Sequence, residues 1–496
     1  MKDLILDFLS GLFAFDQSHP LIFTQFYFWA FFLLVFAGFC IFKNKMLLRN
    51  SFLFFCSMFF YYKTSGLFIL LLGFVVLYNW MAGKWMYNAK SDRWKYLILV
   101  ISLVVDLSSL VYYKYAYFLT DVVNNIFGTE FAVHDVIAQV GNSIAGSQRF
   151  DIDSIFLPVG ISFFTFQAIS YMMDLWRKRI TPVKNILDFG FYLTFFPQLV
   201  AGPIVRASEF IPQLHKPFFL TKKQFGIAVF WILNGLAKKI VLSDYLAANF
   251  IDRVFENPLL YTGFENLSAL FAYSLQVYAD FSGYTDIATG VAMLMGFYLP
   301  MNFNSPYKAK NAGEFWKRWH ISLSKWLQDY LYISMGGNRN ATVGTWVCIF
   351  SIAAIGSILS GSWIVAAVII ILSIAIYTYV RFRPSSRKEV VADVNRLNTM
   401  LLGGIWHGSS WNFMIWGGLN GIGMLIFRFW KARGIYARTL IIGVITLAFA
   451  ILSRVVPAPV FNMFTVWTLV IFIGTLIRAI YNVLGGKASW KWLENV

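Results

Sequence analysis

Long uncharged runs alternate with short polar loops along most of this chain. The first, FYFWAFFLLVFAGFCIF from Phe26 to Phe42, nearly supplies the roughly 20 apolar residues that carry a helix across a bilayer. Further runs predict a hairpin of two short spans (Phe52 to Tyr62, Leu67 to Met81), a span over Tyr96 to Leu119, a returning one over Leu157 to Leu175, and two ordinary spans near the C-terminus, Leu440 to Leu452 and Phe464 to Tyr481. The class is all-α and polytopic.

The centre of the chain is less regular. Phe189 to Val205, Leu267 to Ala279 and Thr399 to His407 fall short of a crossing and carry breakers: Gly202 with Pro203, Gly283, and the pair Gly403 and Gly404. Broken helices at membrane depth survive only where protein surrounds them or a cavity borders them. The pattern predicts one packed body with a cavity, flanked by ordinary spans. The divisions are 1–119 (N-terminal spans), 120–154 (an outer loop), 155–425 (a catalytic core with an apolar insertion at about 340–396) and 426–496 (C-terminal spans). No internal repeat is visible, which weighs against a transporter of inverted halves.

Composition agrees: 58% of the 496 residues are hydrophobic, 19% aromatic and 13% charged, far from the balance of a soluble domain. The net charge of +17 is spread over short loops, among them Lys43 to Arg49, Lys84 to Lys95, Arg177 to Lys184 and Lys308 to Lys325. That is the signature of cytoplasmic loops and not of a nucleic-acid patch. Between Tyr117 and Ile155 the charges turn acidic, which places that loop outside. The start of the chain shows no small-residue cleavage site, so Phe26 to Phe42 is expected to be retained. Cys40, Cys56 and Cys348 lie in apolar runs without metal-ligand spacing and read as packing residues.

Of the five histidines, His19, His134 and His215 fall in loops and read as surface residues. His320 lies in NAGEFWKRWHISLSKWLQDYLYI, whose helical period separates an aromatic side from a basic one. The segment reads as an interfacial amphipathic helix. Its imidazole either packs at the edge of the apolar side or points inward while the basic side meets headgroups or an anionic donor. His407 stands among apolar residues and glycines in LLGGIWHGSSWNF. An ionisable group there is costly unless paired or beside water, so it is a functional candidate; the alternative is a structural histidine bonded to a carbonyl near Gly403 or Gly404. A neutral buried imidazole is suited to act as a base toward a hydroxyl. In YADFSGYTDIATG, Asp280 and Asp286 either orient a histidine or serve structure, with Gly283 a potential helix break. The sequence has no G-x-S-x-G, phosphate loop or H-E-x-x-H, so neither a serine nucleophile nor a metal is indicated.

Taken together, LPVGISFFTFQAISYMMD, FFPQLVAGPIVRASEFIPQL, YADFSGYTDIATGVAMLMGFYLPMNFNSPY, EFWKRWHISLSKWLQDYLYISMGGNR and LLGGIWHGSSWNFMIWGGLNG resemble the membrane-bound O-acyltransferase (MBOAT) family. The resemblance is to its bacterial branch that includes the alginate O-acetyltransferase membrane subunit, and its motifs cover most of Leu157 to Gly421. It implies about ten to fifteen helices around two funnels meeting at a thin waist, with His320 and His407 as the active-site pair. It also implies an acyl donor on the cytosolic side, acetyl-CoA as a substrate and not a tightly bound cofactor, and an extracytoplasmic partner of SGNH-hydrolase type that completes transfer to a polysaccharide. The expected location is the bacterial inner membrane. One departure is the insertion Asn340 to Arg396, whose apolar parts Val343 to Leu359 and Trp363 to Val380 predict an extra hairpin. D-alanyl transfer from a carrier to teichoic acid, a flippase for activated sugar lipids and a scaffold that only recruits the outer partner are the alternatives.

Overall fold

The computed structural model describes residues 21–146, 150–359, 363–456 and 458–483; His19 and the first residues of the chain lie outside them. Every regular element among the described residues is helical. Six helices are long and apolar enough to cross a membrane, or up to seven if a bent pair forms one span.

The helices divide into two compact units. The larger contains residues 1–309 and 314–417, the smaller 310–313 and 418–496. In the smaller unit, Ile435–Val455 and Pro459–Val483 pack through Phe449 and Phe464, with ring centres 5.2 Å apart. These are the C-terminal spans that the sequence predicts.

In the larger unit several predicted elements are longer than their apolar runs. Where two short spans are predicted, longer helices stand, Met46–Ser65 and Ile69–Asn88, joined by a 3₁₀ turn that begins at Gly66 with φ 59°; together they form one of the six membrane-crossing stretches, 43 residues long. The next helix, Asp92–Phe127, has 36 residues, about 54 Å at 1.5 Å per residue against a hydrocarbon core of about 30 Å. The outer loop expected from residue 120 therefore starts eight residues later, at Gly128. Asp121, Asn124 and Asn125 ride on the end of a helix that stops at Gly128 in the left-handed conformation, φ 62°. Basic clusters are not all loop surface either. Arg49 is 2% exposed and donates to the carbonyls of Leu214 and Lys216 at 2.7 and 3.1 Å.

Gly283 does not break its helix. Gly263–Leu294 is continuous, opened by a capping box between Thr262 and Glu265. What Gly283 permits is close approach. A Cβ there would lie 2.8 Å from the carbonyl of Gly235 on helix Lys222–Leu236, and one on Gly290 would lie 2.5 Å from that of Ala228. Small residues at these crossings let two backbones touch.

The insertion forms the predicted hairpin, Val343–Leu359 and Trp363–Phe382. Beyond it the chain turns by 115° at Pro384, which cannot continue a helix, and enters Arg387–His407. The paired glycines do not interrupt that helix. A Cβ on Gly404 would stand 2.3 Å from the Phe413 carbonyl and 3.0 Å from Gly417 Cα, so Gly404 and Gly417 are where this helix crosses the next.

Candidate active site

The stretch around His320 is not one amphipathic helix. It runs as Ala312–Phe315, a break, Ile321–Trp326, and then a π-helical turn, Leu327–Tyr332. His320 sits at the break with φ 42° and ψ 55°, left-handed values that cost a non-glycine residue energy and cluster at functional sites. Two backbone hydrogen bonds hold it there: Asn304 N–H to Arg318 O at 2.8 Å and Ile321 N–H to Asn302 O at 2.9 Å. The ring does not lie at an interface; His320 is 1% exposed.

Its tautomer follows from its neighbours. Asn302 Oδ1 receives the Ser322 N–H at 3.1 Å and the Ser322 hydroxyl at 2.9 Å. An N–H only donates, so the Asn302 atom is the carbonyl oxygen, and His320 Nδ1, 3.1 Å from it, must carry a hydrogen. Ser322 Oγ in turn accepts from Ile204 N–H at 3.0 Å. The lone pair is left on Nε2, buried and without a hydrogen-bond partner. Burial, and secondarily the neighbouring His407, hold the His320 pKa well below the ordinary imidazole value, so Nε2 stays unprotonated at neutral pH.

His407 is the last residue of Arg387–His407 and is half-buried. Its Nδ1 donates to the Gly403 carbonyl at 2.7 Å. This is the bond of the structural alternative, yet it also fixes the tautomer, leaving the basic lone pair on Nε2. Both imidazoles are thus held through Nδ1 with Nε2 as the acceptor.

Trp406 packs against both rings, its centroid 6.2 Å from that of His320 and 4.8 Å from that of His407. Phe281 meets His320 edge-on at 4.7 Å, and Trp416 meets His407 at 4.9 Å. The indole of Trp406 stacks on Phe166, and Phe166 on Trp326. The site is an aromatic box holding two bases. Apolar walls strengthen any charge interaction inside it.

Asp280 and Asp286 do not orient either imidazole. Asp280 pairs with Lys239 at 2.6 Å, and Asp286 with Lys238 at 2.6 Å and Asn234 at 2.7 Å. His134 and His215 are exposed beside Asp153 and Asp188, at 3.5 and 3.7 Å. Asn302 and Trp406 are the site residues that pattern reading did not single out. The only signal for Asn302 was an amide set among apolar residues in LPMNFN.

A cavity of about 970 Å³ lies elsewhere in the same unit. Neither histidine lines it; its walls include Lys95, Lys178, Arg179, Tyr87 and Trp176. Close by, Arg206 pairs with Asp329 at 2.6 Å, Arg177 donates to the Asp329 carbonyl at 2.8 Å, and the Tyr330 hydroxyl donates to Asp174 at 2.8 Å. These contacts anchor the π-helical turn that follows His320.

The sequence profile of the MBOAT, membrane-bound O-acyltransferase, family matches residues 54–355. The chain belongs to the membrane-bound O-acyltransferase family. His320 lies within the matched range and His407 beyond it. The chain is 36% identical over 388 residues to the "probable alginate O-acetylase" of Pseudomonas aeruginosa, an alignment covering 77% of this chain and 61% of that protein. It is 30% identical over 398 residues to the peptidoglycan O-acetyltransferase of Helicobacter pylori, covering 75% and 63%. A teichoic acid D-alanyltransferase of Streptococcus thermophilus is more distant, 24% identical over 307 residues, covering 60% of this chain and 62% of that protein. The chain therefore spans somewhat less than two thirds of the length of these relatives.

Proposed function

We propose that this protein is a membrane O-acetyltransferase of the bacterial inner membrane. It passes an acetyl group from cytosolic acetyl-CoA toward an extracytoplasmic polysaccharide, directly or through an SGNH-hydrolase-like partner, with His407 and His320 as its active-site pair. The observation that carries this reading is the pairing of two imidazoles in one aromatic box, each with Nδ1 engaged and Nε2 left basic. Such a group removes the hydroxyl proton as the acceptor oxygen attacks the thioester carbonyl. The C–O bond forms, the C–S bond breaks, and the imidazolium returns the proton to the departing thiolate. Positioned proton transfer of this kind contributes roughly 10²- to 10⁴-fold, and orientation supplies much of the remainder. His407 is the favoured base, and His320 positions or relays from the donor side. The basic lining of the 970 Å³ cavity suits a nucleotide-bearing thioester, and the two O-acetylating relatives favour acetyl over D-alanyl transfer.

The test is acetyl transfer from labelled acetyl-CoA enclosed with the protein in vesicles, with an acetylatable polysaccharide or the partner outside. Label is expected to reach the outside acceptor with release of free CoA, and His407→Ala and His320→Ala to abolish it in folded protein. Undiminished transfer by both variants would overturn the reading.

A further inference from the structure

The helix that delivers His407 ends without a backbone cap. Its final residue is His407, and Gly408 follows in extended conformation, φ −165° and ψ 155°, so no left-handed glycine closes the last turn. The last four carbonyls of a helix have no partner within it. Here two of them are met from a helix almost 300 residues away in sequence. Tyr115 donates its hydroxyl to the Ile405 carbonyl at 2.8 Å, and Lys114 donates its ammonium to the Trp406 carbonyl. The same ammonium lies 5.4 Å from the centre of the Trp406 ring.

Lys114 is a half-buried cation on Asp92–Phe127, a helix long and apolar enough to cross the membrane. Among the described residues no carboxylate lies within 4 Å of it. An ionisable side chain in such a place marks function by default, and its counter-charge here is the negative end of a helix dipole. That end is the residue before His407.

We propose that Lys114 is the positioning residue for His407. By clamping the Trp406 carbonyl and the face of its indole, while Tyr115 clamps Ile405, it holds the helix end, and with it the His407 ring, in the orientation needed for proton transfer. The proposal rests on the reading of His407 as the reacting base. Lys114 moves no proton in this scheme and touches no reacting atom. Its task is rigidity, since a misplacement of about 1 Å at a reacting group costs on the order of 10²-fold in rate.

The test compares Lys114→Met, Lys114→Arg and Tyr115→Phe with wild type and His407→Ala, measuring kcat, donor KM and the melting temperature in detergent. Lys114→Met is expected to lower kcat by about tenfold or more while donor KM stays within about twofold. Lys114→Arg, which keeps a donor and a charge, is expected to recover most of the rate. Tyr115→Phe, which deletes one hydroxyl, is expected to lower kcat severalfold at unchanged KM, and it decides the matter if Lys114→Met does not fold. A rate within twofold of wild type in Lys114→Met or Tyr115→Phe, or no recovery with arginine, overturns the clamp. Activity surviving in His407→Ala instead overturns the assignment of the base, so the two failures are separable.

Discussion

His320 and Trp406 lie 86 positions apart in sequence and 6.2 Å apart between ring centres, and the chain neighbour of that indole is the second imidazole, His407. One aromatic side chain is thereby in contact with both bases. The first stands on a strained turn and the second on a helix end, so the geometry of the pair depends on two unlike local structures being held still.

The turn is held by Asn302, whose side-chain carbonyl accepts from Ser322 N–H, Ser322 Oγ and His320 Nδ1. Asn302→Leu should leave these donors buried and unpaired, at a cost of about 1–3 kcal/mol. It also frees the imidazole to change tautomer. The expected outcome is a rate loss of about 10- to 100-fold in protein that still folds, measured as kcat. In ¹⁵N-histidine spectra, the His320 Nδ1–H signal should be retained in wild type and lost or averaged in the variant.

Backbone strain at His320 makes a second test. With φ at 42°, a side chain there costs roughly 1–2 kcal/mol that glycine does not incur. Both His320→Gly and His320→Ala should be inactive. Of the two, His320→Gly should be the more stable, by about that amount, in thermal or denaturant unfolding; equal stability would place the strain elsewhere.

At the helix crossing beside His407, Gly404→Ala would drive a methyl to 2.3 Å from the Phe413 carbonyl. The helices must part, costing about 1–3 kcal/mol. The expectation is a lower melting temperature together with reduced kcat, because the shift carries His407 with it. Gly73→Ala is the control, since nothing lies within 4 Å of a Cβ there; inside a helix it should leave kcat unchanged and hold or raise the melting temperature.

The carboxylates of the YADFSGYTD stretch should prove structural. Asp280, half exposed and paired with Lys239, contributes at most about 1 kcal/mol. Asp280→Asn is expected to leave kcat within about twofold. Asp286, more buried and held by Lys238 and Asn234, should cost stability on replacement by asparagine while kcat remains within a fewfold. A collapse of kcat in either stably folded variant would return these residues to the catalytic apparatus.

Apolar run length, loop charge and the imidazole of His407 within an apolar segment were legible in the chain itself, because each depends on local composition: a helix in lipid needs only enough consecutive apolar residues, and an isolated titratable group among them is conspicuous. The helical class, the helices near the C-terminus, the helix pair Val343–Leu359 and Trp363–Phe382 and the family all follow from such local features. Where helices end does not follow from them. Gly283 and Gly403 look like breaks in a linear pattern, yet Gly283, and Gly404 beside Gly403, serve as contact points, because backbone approach depends on what lies across the interface. Nor did helical period foresee the kink at His320, which is imposed by pairing with the stretch 302–304.

The partners of the two bases were equally out of reach. Asn302 is an ordinary residue by sequence and becomes significant through one oxygen brought beside His320 by folding, and Lys114, a cation visible within an apolar run, shows only in the fold that it meets the carbonyl preceding His407. Composition and order along the chain determine which segments leave water and which side chains carry reactive nitrogen. Only tertiary structure decides which nitrogen holds the proton, since that depends on the acceptor within about 3 Å, and those acceptors come here from residues four and eighteen positions away.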